Sequence, residues 1–139
     1  MQYVRAKYFI PDARKFWIKP SVKYLKKYLL EHKIDAVITS GPPHSLHLIG
    51  LALKKELNVK WISDFRDPWT DIDYFEHLPL TKKSLQIHQQ QEQEVLKNSD
   101  AVIVIGNTMK ENFKQFSKNI HVVTNGFDTD LQSSSTVLD

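Results

Sequence analysis

The sequence predicts an α/β domain built on a parallel sheet, and three observations carry that prediction. β-Branched runs alternate with apolar stripes at helical spacing, each run ends in a turn-forming corner, and the composition is that of a globular chain. The 139 residues are 41% hydrophobic and 25% charged, which suits one domain with a real core.

The elements follow in order. Ser21 to Lys33, "SVKYLKKYLLEHK", reads as a helix with Pro20 just before it. Val22, Leu25 and Leu29 form its buried side, Tyr24 and Tyr28 finish that side, and Lys23, Lys26 and Lys27 lie elsewhere. "IDAVITS" (34–40), "VKWISDF" (59–65), "AVIVIG" (101–106) and "IHVVTNG" (120–126) read as short strands covered on both faces. Between them, Leu46, Ile49, Leu53 and Leu57 mark one helix, and Met109, Phe113 and Phe116 mark another. Lys82 to Asn98 is helical by propensity, yet "HQQQEQE" (88–94) holds no apolar residue. Only the ends of that helix are expected to pack, with its glutamines solvated. Residues 1–128 form the domain and 129–139 a linker or frayed tail, with no internal repeat.

Composition removes several function classes. There is no cysteine, hence no disulfide framework and no thiolate metal site, which fits a reducing cytosol. The longest apolar run, "AVIVI", is too short to span a bilayer or form a signal-peptide core. The net charge of +3 is uneven: residues 1–33 carry +7 and the remainder −4. A basic front end points to an anionic neighbour, or else to a solvated helix face.

Ligands of open parallel sheets bind beyond the carboxyl ends of the strands, where this chain places "SGPPHS", "DFRDPW", "GNT" and "TNGFD". Gly41 allows a sharp exit and close backbone approach, Pro42 and Pro43 stiffen the corner, and Ser45 is expected to cap free amides. His44 and His47, three apart, share a face of the first helical turn, where the helix dipole favours neutral imidazole and the helix start can take an anion. The structural alternative is that His47 packs on its own helix while His44 caps it. In "DFRDPW", Asp64 and Asp67 flank Arg66, and Pro68 holds Asp67 extended. An Arg–Asp bridge locking the loop is one reading. A ligand-facing role for at least one of Arg66, Asp67 and Trp69 is the other. A metal set of His44, His47, Asp64 and Asp67 is disfavoured because the histidines lack the glutamate of a zinc-hydrolase motif. No GxGxxG or Walker lysine motif is present.

These corners give the chain a resemblance. "TSGPPHSLHLIG" (39–50), "KWISDFRDPW" (60–69), "VLKNSDAVIV" (95–104) and "TNGFD" (124–128), in that order, resemble the amino-terminal half of glycosyltransferase family 4, closest to a bacterial subgroup. "FIPDARKFWIKPSVKYLKKYL" (9–29) resembles the lead-in of that subgroup.

The resemblance implies a Rossmann-like parallel sheet flanked by helices, half of a GT-B architecture. It implies a retaining sugar transferase with a nucleotide-sugar donor, a glycan or lipid-linked acceptor and no obligatory metal or other cofactor. Family members open with a strand and glycine-rich loop and continue into a second domain that holds the donor. The chain is therefore expected to be most of an acceptor-side domain, inactive alone, with the edge of its first strand bare unless residues 3–10 cover it. Carried over by position, the loop from Gly41 to His47 faces acceptor and donor phosphate, with Arg66 and Asp67 across from it and Asp64 and Trp69 among the substrate-binding residues. Asp67 orients or deprotonates the acceptor hydroxyl, His47 is its rival, and Asn125 and Gly126 mark the hinge. The lysine-rich helix at 21–33 would dock on anionic headgroups, implying a cytoplasmic protein peripheral to the inner face of the cell membrane.

The competing reading is a stand-alone binding module for an anionic partner, with Tyr24 and Tyr28 stacking on bases. No recognised nucleic-acid motif accompanies them, so nucleic acid is not the expected partner.

Overall fold

The computed structural model describes residues 8–71 and 80–126. A 3₁₀ turn, Lys15–Trp17, leads into α1 (Ile18–Glu31). Then β1 (Val37–Gly41), α2 (Ser45–Leu57), β2 (Trp61–Phe65), α3 (Lys82–Asn98), β3 (Ala101–Val104), α4 (Asn107–Phe113) and β4 (Ile120–Val122) follow. The four strands form one parallel sheet in the order β1-β2-β3-β4, a Rossmann-like α/β arrangement as expected.

Strand order that follows chain order, with right-handed crossovers, carries successive helices to the same face of the sheet. Burial alternates accordingly. Thr39, Trp61, Ser63, Phe65, Val102, Val104 and Ile120 are buried toward the helices. The alternate positions Ile38, Ser40 and His121 are exposed, and Ile38 keeps 63% of its surface open. Among the described residues, this corrects the expectation of strands covered on both faces for the outer strands β1 and β4, while on β2 and β3 the second face is half-buried, with Asp64 buried. β-Branched runs mark sheet residues, and the strand order then decides how many faces are dry. β1 is an edge strand among the described residues. Residues 3–7, expected to help cover it, lie outside the described residues, as does the tail at 129–139.

The core joins Trp61 and Phe65 of β2 to Val95 and Leu96 of α3, Val102 and Val104 of β3, and Phe113 of α4. α2 lies close to the sheet because Gly50 has no side chain. A Cβ there would stand 2.2 Å from the Trp61 indole nitrogen. Asn58, in the left-handed conformation at φ 52°, ends α2. The Thr81 hydroxyl opens α3 by accepting the Ser84 amide at 3.1 Å.

Three further expectations are corrected. α1 starts at Ile18, so Pro20 falls within its first turn, where a missing N–H costs no helix bond. Tyr24 does not finish a buried side; it is 69% exposed and stacks on Tyr28, which stacks in turn on His32. The middle of α3 does pack, because His88 and Glu92 are buried.

Candidate functional site

Strand register builds the site. Gly41 pairs with Phe65, Phe65 with Val104, and Val104 with Val122, so the strands end in one row and their loops leave from one rim. The corners at Gly41 and Arg66 meet there: the Arg66 amide donates to the Gly41 carbonyl at 2.9 Å.

Arg66 crosses the rim. Its Nε donates to Asp64 Oδ2 at 3.0 Å, while Nη1 reaches Asn125 Oδ1 at 3.1 Å and the Val123 carbonyl at 3.4 Å. The same Asp64 oxygen accepts the Ser40 hydroxyl at 2.8 Å, tying β1 to β2. Asp64 is nearly buried, and its Oδ1 has no hydrogen-bond partner among the described residues. The planar guanidinium fork joins the ends of β2 and β4 while part of it stays open to solvent. The structural bridge and the outward-facing cation are therefore the same side chain.

The first corner has an exposed Pro42, half-buried Pro43 and His44, and a buried Gly41 and Ser45. Ser45 is the first residue of α2 and does not cap it. Its amide instead donates to Asp12 Oδ2 at 2.8 Å, and His44 makes no side-chain cap. A carboxylate from 33 residues upstream thus occupies the positive end of the helix. His47 is 0% exposed. Trp61 Nε1 donates to Thr39 Oγ1 at 2.9 Å, and that hydroxyl lies 2.9 Å from His47 Nδ1, placed to donate to it. His47 Nε2 is packed toward Gly41, where a Cβ would stand only 2.6 Å away. Both imidazoles are neutral at pH 7. Burial is the principal cause, lowering His47 to about 3 and His44 to about 4, the latter against the pull of Asp12.

The second corner turns Trp69 inward. The indole is 1% exposed, stacks on His44 with centroids 4.6 Å apart, and donates Nε1–H to His88 Nδ1 at 3.1 Å. Glu92 Oε1 accepts the amides of Trp69 and Thr70, each at 3.2 Å, and Oε2 accepts the Thr70 hydroxyl at 2.5 Å. Burial raises the Glu92 pKa, and the bonds from Thr70 and Trp69 oppose that rise. Asp67, between the two anchored ends, is exposed. The two proposed acids or bases thus stand in opposite settings, Asp67 open and His47 enclosed. Trp69 supports the corner from within and has almost no surface to offer a ligand. No group of three or more His, Cys, Asp or Glu side chains is arranged to hold a metal ion among the described residues.

A family model described as Glycosyltransferase Family 4 matches residues 2–131. The chain belongs to glycosyltransferase family 4. A comparison with curated proteins gave no match.

Within this family 4 domain, the sheet and its rim agree with half of a GT-B architecture. Asn125 lies on the rim through Arg66, and Gly126 is the last described residue, with Phe127 and Asp128 of "TNGFD" beyond it. Sequence reasoning missed Asp12, His88 and Glu92. The i, i+4 spacing of His88 and Glu92 inside an otherwise featureless polar run was the available signal.

Proposed function

We propose that this family 4 domain forms the acceptor side of a bacterial retaining glycosyltransferase. The enzyme would move a sugar from a nucleotide-sugar donor to a cell-surface glycan or its lipid-linked precursor. The observation that carries this reading is the shared rim: Gly41, Arg66 and Asn125 joined by hydrogen bonds, with Asp67 standing free beside them. Asp67 is the residue to orient or deprotonate an acceptor hydroxyl, acting as a general base within hydrogen-bond reach. The open part of Arg66 adds positive charge where the donor's phosphates would come to rest, consistent with electrostatic stabilisation of a leaving group. In this reading the main phosphate contacts would come from a second domain facing this rim. No cofactor is called for in this reading.

The test uses the enzyme with both domains and measures nucleoside diphosphate released from a panel of UDP-, GDP- and dTDP-sugars. Asp67→Asn is expected to lower turnover about 100-fold or more, the size of a lost general base. Full turnover in that variant would sink the assignment.

α1 supports a place at a membrane surface. Lys19 and Lys23 flank a groove of about 390 Å³ between α1 and α2, floored by Ile18 and Val22, while Lys26 on the same groove is paired with Glu56, and Trp17 is exposed just before α1. Lysines beside exposed aromatic rings suit anionic headgroups, so a cytoplasmic, peripheral location is proposed. No helix among the described residues is long and apolar enough to cross a membrane. The exposed Tyr24–Tyr28–His32 stack also favours a second reading, a module for another anionic partner. Binding to phosphatidylglycerol vesicles but not to single-stranded oligonucleotides supports the first reading, and the reverse supports the second.

A further inference from the structure

We propose that Glu92 is a positioning residue that fixes how Arg66 and Asp67 are presented at the rim. The inference rests on the reading of Asp67 as the acceptor-facing acid. The loop after β2 is held at two ends. Its start is fixed by the Arg66 amide on the Gly41 carbonyl, and its end by the Trp69 and Thr70 amides and the Thr70 hydroxyl on Glu92. Only Asp67 and Pro68 lie between the anchors, and proline has a fixed φ and no N–H to satisfy. Asp67 is therefore suspended on a span with little freedom, which is the arrangement a group needs if it must meet a hydroxyl in one geometry.

Two features separate positioning from ordinary packing. Glu92 is 6% exposed, and no cation pairs with it in the described residues. A buried, unpaired carboxylate is an expensive way to fill space, and an apolar side chain would serve stability at least as well. The carboxylate does supply acceptors for three donors of two consecutive residues, which no apolar side chain can do. One turn earlier on the same face, His88 takes the Trp69 indole N–H, so α3 addresses the loop through two of its polar side chains.

The variants are chosen to separate geometry from stability. Glu92→Met keeps length and volume but removes the acceptors, while Glu92→Gln keeps one oxygen for both amides. In the 139-residue chain, amide hydrogen exchange read by NMR should quicken about tenfold or more at Trp69 and Thr70 in Glu92→Met, while Val102 and Val104 keep their protection. Glu92→Gln should restore most of the protection. In the two-domain enzyme, Glu92→Met should lose roughly 10- to 100-fold in kcat with the donor KM within about twofold, and Glu92→Gln should recover most of it. Val102→Ala, a core change away from the loop, serves as the stability control and should leave kcat alone. Unchanged exchange, or loosened amides with unchanged kcat, overturns the proposal. If Glu92→Met does not fold, Thr70→Val removes one of the three donors and should show the same changes at smaller size; no change there is equally fatal. Failure of the Asp67 reading has a different signature: Asp67→Asn keeps its turnover, whatever Glu92→Met does to the amides.

Discussion

The Arg66 amide donates to the Gly41 carbonyl at 2.9 Å, so the polypeptide leaving β2 is pinned to the polypeptide leaving β1. This bond turns two separate corners into one rim. The Arg66 side chain extends the rim to Val123 and Asn125, across the end of β3.

Arg66→Lys should therefore loosen the far end of the rim without unfolding the sheet. Lysine keeps the charge but not the fork that serves Asp64 and Asn125 together. Amide exchange at 123–125 should rise, with the melting temperature lowered only slightly because the pair is partly exposed. Unaltered exchange there would show that the Arg66–Asn125 contact holds nothing.

Gly41→Ala should destabilise the protein by about 1 to 3 kcal/mol, the usual cost of overpacking. The new Cβ would stand 2.6 Å from His47 Nε2, and that ring is held at its other nitrogen by Thr39. Gly106 gives the contrast, because a Cβ there meets nothing within 4 Å. Gly106 is also the N-cap of α4 with no side-chain cap, so Gly106→Ser should be neutral or stabilising by a few tenths of about 1 kcal/mol. Urea denaturation of both variants checks the pair.

Thr39→Val should cost about 2 to 4 kcal/mol despite preserving shape, since it strands two buried groups at once. The Trp61 indole N–H loses its acceptor and His47 Nδ1 loses its partner. A cost below that of a typical surface change would mean the hydroxyl does not bridge them.

Stability should fall as the solution is acidified from neutral. Burial lowers His44 and His88 to about 4 and His47 to about 3, while unfolded histidines titrate near 6.5. Between those limits the unfolded chain binds more protons, so stability is complete above about pH 6.5 and declines toward pH 4. Glu92 runs the other way. Its raised value lets the folded state take up a proton before the unfolded chain does, which offsets part of the loss. Urea midpoints at pH 7.5, 6 and 5 should descend in that order, and a flat series would contradict the burial of these rings.

The fold was legible because alternation of β-branched runs and helical stripes is a local property of the chain, and the rim followed from strand direction alone. The side chains' surroundings were less so. Trp69 reads as a ligand-facing aromatic until His44 and His88 are seen to enclose it. His88 and Glu92 read as surface because hydropathy counts polarity and ignores hydrogen bonds that neutralise its cost. Asp12 caps α2 from the segment ahead of the Lys15–Trp17 turn, which no local capping pattern around Ser45 could reveal. Tyr24 and Tyr28 lie on the apolar period of α1, yet both are exposed while Val22, Leu25 and Leu29 are half-buried.

Trp69 also equips the molecule with an optical gauge. Its indole lies nearly parallel to one imidazole and hydrogen bonded to another. A ring that gains a proton in such contact darkens indole emission. Trp17 emits from the surface and Trp61 from beside Gly50, so the three fluorophores occupy distinct settings. Light from the unlabelled polypeptide can thus report, in real time, whether the segment after β2 is seated.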